Sequence, residues 1–222
     1  MTLHNRSGRL HQSVVHEYTT LLCGVMKGTT DIVRIIAGAV RGMRLNVPGG
    51  TTTRPTSDRV KEALFSILDS NNLLAEAQVL DLCAGSGSLG IEALSRGAAH
   101  TVFVEKDRTT LQVLRTNLAR TGFPAHQYEV LAIDCQQALK LLIRRQKMFS
   151  LVLFDPPYQS DLYQIVIAQV GSCLLMAEGM LVAETAARVS LPERLPPCIR
   201  TDRRLYGDTA LDFFMLEPHY AP

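Results

Sequence analysis

The chain has 222 residues, of which 46% are apolar and 20% charged, and its formal net charge is +2. This is the length of one domain with enough apolar residues to bury a substantial core, which excludes an intrinsically disordered chain. No run approaches the ~20 apolar residues of a membrane-spanning helix, and no apolar segment follows the basic start at Met1 to Arg9, so neither a membrane protein nor a secreted one is expected.

Charge is unevenly spread. The first 60 residues hold eight basic groups against three acidic ones, so they carry +5 and the remainder −3. A basic segment on a mildly acidic body suits a polyanionic partner met at one edge. The five cysteines are widely spaced with no CxxC pair, as expected of reduced thiols in the cytoplasm. The six histidines show no ligand spacing, and no metal is expected.

Residues 1–31 show no sustained period and read as a poorly ordered N-terminal extension, with Met26 a candidate alternative start. Residues 32–222 read as a single domain. Its first part, residues 32–70, is a small β-hairpin and a helix. Ile32 to Ile36 is strand-like, Gly38 to Gly42 turns the chain, and Met43 to Val47 returns. The helix runs from Thr56 to Leu68, with Val60, Leu64, Ile67 and Leu68 on one face.

From Gln78 onward strands and helices alternate, giving a catalytic-type core over residues 78–217. The expected strands are Val79 to Leu82, Thr101 to Val104, Tyr128 to Ala132, Phe149 to Phe154 and Met180 to Ala183. Helices fall at Leu89 to Ser95, Arg108 to Arg120, Cys135 to Arg145 and Leu162 to Leu175. This is the pattern of a doubly wound, Rossmann-like α/β sheet. Arg203 to Tyr206 and Ala210 to Leu216 then flank a Gly207-Asp208 turn, so the sheet is expected to end in an antiparallel hairpin strand. That plan is usual in class I methyltransferases using S-adenosylmethionine.

Asp81-Leu82-Cys83-Ala84-Gly85-Ser86-Gly87 leaves the first core strand and opens a helix. Glycines there let the chain turn tightly and bring backbone close to a ligand. Gly85-x-Gly87-x-x-Gly90, with Glu105 twenty residues after Gly85, also fits a dinucleotide fingerprint. Three acids favour S-adenosylmethionine. Asp81 would face the ligand's cationic ammonium, where a pyrophosphate would be repelled. Glu105 can accept from both ribose hydroxyls, and Asp134 from the adenine amine, with Ile133 or Cys135 beside the ring. All three stand at successive strand ends, where ligands bind in such sheets.

Asp155-Pro156-Pro157-Tyr158 follows the fourth strand. Two prolines stiffen the loop and withhold two N–H groups, which leaves acceptors facing out. Asp155 and the Pro156 carbonyl suit the two N–H groups of an exocyclic base amine, and Tyr158 can stack on a base drawn out of its helix or loop.

Arg34-Ile-Ile-Ala-Gly, Arg41-Gly-Met-Arg44-Leu, Arg54-Pro-Thr-Ser-Asp-Arg59-Val-Lys-Glu62, the glycine turn, Asp155-Pro-Pro-Tyr158 and Tyr206-Gly-Asp together closely resemble the RsmD family. These are bacterial enzymes that methylate the N2 amine of one guanine in 16S ribosomal RNA. The resemblance covers roughly residues 32–217. It implies a cytoplasmic enzyme, S-adenosylmethionine as cofactor, and 16S rRNA in a partly or fully assembled small subunit as substrate; the sequence does not fix the oligomeric state, and a monomer is favoured. It also implies that Thr56, Arg59 and Glu62 lie over the active-site mouth, Thr56 helping to close the cofactor pocket. Arg34, Arg41, Arg44, Arg54 and Arg59 suit phosphate contacts, which position RNA without reading it. The tetrapeptide alone would also allow adenine N6 or cytosine N4 as target, in DNA or RNA. The glycine pattern alone would allow a nicotinamide-dependent oxidoreductase.

Overall fold

The computed structural model describes residues 33–48, 58–156 and 162–218. The expectations for residues 1–31, Arg54, Thr56, Pro157 and Tyr158 fall outside these segments.

Helix α1 (Asp58–Ser70) buries Val60, Leu64, Phe65 and Leu68. The core then runs β1 (Gln78–Leu82), α2 (Ser88–Ser95), β2 (His100–Val104), α3 (Arg108–Thr121), β3 (Tyr128–Leu131), α4 (Cys135–Arg144), β4 (Phe149–Phe154), α5 (Leu162–Cys173) and β5 (Leu175–Ala186). Strands β6 (Arg194–Leu195), β7 (Cys198–Tyr206) and β8 (Thr209–Leu216) complete it. Local chemistry sets several boundaries. The Asp107 side chain accepts from the Thr110 N–H to start α3, and left-handed Gly122 ends it. Asp134 caps α4 in the same way through the Gln137 N–H.

The described strands form one sheet in the order β3-β2-β1-β4-β5-β8-β7-β6. The first five are parallel, and β8 joins β5 antiparallel. Side chains of β1 alternate between two cores. Val79 packs with Phe65, Ile91 and Leu114 on one face, and Leu80 with Leu139, Val152 and Val166 on the other. Burial on both faces is why β4 reads Leu151-Val152-Leu153-Phe154 without a polar break and why β1 is apolar from Val79 to Leu82 except at Asp81.

Residues 33–47 form a two-armed turn. Leu45 N–H donates to Val33, Ile35 N–H to Met43 and Gly42 N–H to Ile35, and one ladder bridge sets Arg34 against Arg44. Val33, Ile35 and Leu45 are buried, which seats this arm on the core.

Several boundaries differ from the sequence expectation. The fifth strand begins at Leu175, not Met180, and α5 stops at Cys173. Phe149 N–H donates to the Leu174 carbonyl, so the apolar run that continues the helical period is captured by the sheet edge instead. Strand β7 starts at Cys198, five residues before the expected Arg203. Its charges look like those of a loop, but Arg200 and Arg203 both pair with Asp212, which is fully buried on β8. Strand β6 is two residues long and was not expected. The third strand ends at Leu131, one residue early.

Candidate active site

The parallel register fixes the site. Leu82 of β1 stands opposite Val104 of β2 and Phe154 of β4, and Val104 opposite Leu131 of β3. The next residues along, Cys83, Glu105 and Asp155, therefore leave adjacent strands at one edge, about 5 Å apart from strand to strand. The glycine turn rises between the two acids, in the crevice where such sheets bind ligands.

The turn has an unusual backbone. Cys83, Gly85 and Gly87 all have positive φ, at 61°, 58° and 83°. Cys83 carries a side chain in that region, which costs about 1 kcal/mol or more. Four bonds hold the shape. Ala84 N–H donates to the Val104 carbonyl at 2.9 Å and Gly87 N–H to the Ala84 carbonyl at 2.8 Å. Gly85 N–H donates to Glu105 Oε2 at 3.0 Å, and Gly90 N–H to Asp81 Oδ2 at 2.9 Å. Nothing comes closer than 4.0 Å to where a Cβ on Gly85 would sit, so the turn leaves open space on that side. At Gly90 the opposite holds. A Cβ would meet Phe103 Cε1 at 2.3 Å and Asp81 Oδ2 at 2.9 Å.

Asp81 is almost wholly buried. Burial pushes its carboxyl up to about 8, the Gly90 N–H bond opposes that, and the charges of Asp155 and Glu105 add to it. A buried carboxyl between two others is a site that gains from a cation. Glu105 is half-buried and uses both oxygens, Oε1 accepting from the Asp107 N–H at 2.8 Å. Asp155 is half-buried and Pro156 buried at the end of β4. Asp134 stands at the same edge, with Oδ1 engaged in capping α4.

Cys83 and Cys135 meet beside this turn. The Cys135 thiol and burial push the Cys83 thiol far up, and the same bond lowers Cys135. Both sulfurs belong to the apolar layer below the edge.

Of the arginines singled out from the sequence, Arg34, Arg41, Arg44 and Arg59 are exposed. Arg34 donates to Asp58 at 3.0 Å, so part of its charge is already matched. Sequence reasoning did not single out two fully buried polar residues behind the turn, Lys61 and Asn117. Lys61 falls inside the Arg-Val-Lys-Glu run, where helical spacing next to Val60 and Leu64 was the available signal. Two shallow cavities, of about 270 and 300 Å³, lie elsewhere, one by Asn72, Gln78 and Ser150 at the opposite edge and one by Gly171 and Pro197.

A family model described as conserved hypothetical protein 95 matches residues 33–215. The ribosomal RNA small subunit methyltransferase D of Escherichia coli (strain K12) is 37% identical over 161 residues, covering 72% of this chain and 78% of that protein. The chain belongs to the RsmD family. YlbH of Bacillus subtilis (strain 168) is 34% identical over 183 residues, covering 82% of this chain and 98% of its own length. Among solved structures, a hypothetical protein of Thermus thermophilus superposes with a TM-score of 0.72 at 31% identity, covering 83% of this chain and all of that one. The fold alone extends further. A Thermus thermophilus 16S rRNA N2 G1207 methyltransferase, solved with AdoMet and guanosine, gives a TM-score of 0.60 at 21% identity, covering 76% of this chain and 45% of that one. The family model takes in the arm, α1 and the described strands up to the penultimate residue of β8, so it covers the glycine turn, Glu105, Asp134 and Asp155.

Proposed function

We propose that this chain transfers a methyl group from S-adenosylmethionine to the exocyclic N2 of a guanine in small-subunit ribosomal RNA. The observation that carries the reading is the register that puts the glycine turn, Glu105 and Asp155 on one edge of adjacent strands. Relatives named as small-subunit rRNA methyltransferases support the reaction and the RNA class.

The residues present fit the cofactor. The open side of Gly85 accepts close approach, with the backbone of Ala84, Ser86 and Gly87 forming the floor. Asp81 meets the ammonium of the amino-acid end. Glu105 holds the ribose hydroxyls, since an ionised carboxylate has about four acceptor sites and the two backbone N–H bonds leave capacity. Asp134 takes the adenine amine, with Ile133 or Cys135 beside the ring, and the family resemblance implies that Thr56 helps to close the pocket. Membership of the RsmD family and relatives named as rRNA methyltransferases support S-adenosylmethionine over a nicotinamide cofactor. When bound, the cofactor supplies an electrophilic methyl group on a sulfonium.

The protein's own work is orientation. The lone pair of a guanine N2 is delocalised into the ring and makes a poor nucleophile. Asp155 and the Pro156 carbonyl accept its two N–H groups and turn the lone pair toward the glycine turn. Pro157 stiffens the loop, and Tyr158 stacks on the extruded base. Alignment of reacting groups then carries most of the rate. Arg34, Arg41, Arg44, Arg54 and Arg59 hold backbone phosphates beside the site.

The partner is 16S rRNA within a partly or fully assembled subunit, met in the cytoplasm. Incubation with labelled cofactor and 30S particles, protein-free rRNA or DNA, followed by nucleoside mapping, tests the whole reading. Label in N2-methylguanine from 30S particles is the expected result. Label in N6-methyladenine or in DNA overturns it.

A further inference from the structure

Asn117 sits on α3 with no exposed surface, and its amide is spent entirely on backbone. Nδ2 donates to the Ser86 carbonyl at 2.9 Å and to the Asn46 carbonyl at 3.0 Å, and Oδ1 accepts from the Asn46 N–H at 2.9 Å. Ser86 lies between the two left-handed glycines of the turn, and Asn46 lies in the return limb of the basic arm. One side chain thus fastens both segments to α3 and to each other.

A second buried group repeats the pattern. Lys61 on α1 donates to the Arg34 carbonyl in the arm and to Ser88 Oγ, at the start of α2, at 3.1 Å. Glu92, also fully buried, lies 4.0 Å from the Lys61 ammonium and accepts from the Ile36 and Ala37 N–H groups of the arm. Ser86 and Ser88, which flank Gly87, are therefore both held by side chains that also hold the arm.

Packing alone does not call for this. An apolar residue of similar size would fill the same space but would take these bonds away from the Ser86 and Asn46 backbone. What the amide adds is a fixed orientation for the Ser86 peptide, in a turn whose three positive-φ residues leave other orientations open. We propose that Asn117 is a positioning residue for the cofactor turn and makes the shape of that turn depend on the docked arm carrying Arg34, Arg41 and Arg44. The proposal rests on the cofactor reading given above.

The test is calorimetric titration of the full chain with S-adenosylhomocysteine, alongside thermal unfolding. Asn117→Ala removes all three bonds. Asn117→Asp keeps the volume and the acceptor for Asn46 but removes both donors, and serves if the alanine variant does not fold. Val170→Ala, in the core on the other face of the sheet, serves as a stability control. Both Asn117 variants are expected to weaken binding about tenfold or more, whereas Val170→Ala stays within about twofold despite its lower melting temperature. Methyl transfer by the Asn117 variants is expected to return to within about threefold of wild type at saturating cofactor, the signature of lost binding and not lost chemistry. A folded Asn117 variant that binds with the wild-type Kd overturns the proposal. A wild-type chain that does not bind the probe overturns the cofactor reading, and this proposal with it.

Discussion

Glu105 Oε2 accepts the Gly85 N–H at 3.0 Å, across twenty residues of chain. The same carboxylate takes the Asp107 N–H on its other oxygen, so it shapes the turn before any ligand arrives. Glu105→Gln keeps the size but turns one acceptor into a donor that faces a backbone N–H. Cofactor affinity is expected to fall about tenfold or more, because the turn is misheld and a ribose acceptor is lost. Calorimetric titration reads this directly, and wild-type affinity in the variant would assign ribose binding elsewhere.

Asp81 predicts a pH dependence with a definite sign. Its carboxyl sits at about 8 in the folded chain, against about 4 when unfolded. Between those values the folded state binds more protons, so this group's contribution to stability declines as pH rises from about 4 and levels off above about 8. Asp81→Asn keeps an acceptor for the Gly90 N–H and removes the ionisation. Without cofactor the variant is expected to melt above wild type at pH 8.5, with the gap closing near pH 4. Docking of the ligand's ammonium favours ionised Asp81, so binding is expected to release a proton and to weaken as pH falls below 8. Calorimetry in buffers of different ionisation enthalpy measures that proton.

Gly90 lies where the helix after the turn touches β2. The Cβ of Gly90→Ala would press on Phe103 Cε1 and Asp81 Oδ2 together. Overpacking of this kind costs about 1–3 kcal/mol, and each kcal/mol lowers the melting temperature of a chain this size by about 2–4 °C. Because Asp81 is one of the displaced groups, cofactor affinity is expected to fall too. Gly97→Ala has open space at its Cβ but a φ of 102°, so it is expected to cost stability without changing affinity.

The basic arm is an electrostatic element. Arg41 and Arg44 are exposed, and Arg44 stands across the ladder from Arg34. Asp58 already offsets part of the Arg34 charge, and Arg41 and Arg44 add exposed positive charge beside it. Arg41→Ala with Arg44→Ala is expected to weaken RNA binding and flatten its dependence on log salt by about 0.7 per lost phosphate contact. Cofactor affinity stays unchanged. Filter binding across a salt series checks both.

The alternation of strands and helices and the glycine turn were legible because each is local. Buried parallel strands are short apolar runs, and Asp107 and Asp134 cap helices a few residues away. What stayed hidden depends on distant partners. The second half of β7, Arg203 to Tyr206, was legible, but its start at Cys198 was not, because the buried counter-charge for Arg200 is Asp212, twelve residues on. The length of β5 was hidden because Leu174 and Leu175 extend the helical apolar period until the sheet claims them. Cys83 gave no sign of positive φ, which comes from bonds made by Ala84 and Gly85 after it. The roles of Asn117 and Lys61 are not local either, since their partners lie 27 to 71 residues away.

In the proposed mechanism Asp155 holds the acceptor amine beside a cofactor it does not itself bind. Single-turnover transfer by Asp155→Asn on 30S particles, with cofactor Kd measured on the same protein, tests it most directly. The expected transfer rate is lowered about 100-fold or more, with cofactor Kd within about twofold of wild type. A wild-type rate in that variant would contradict it.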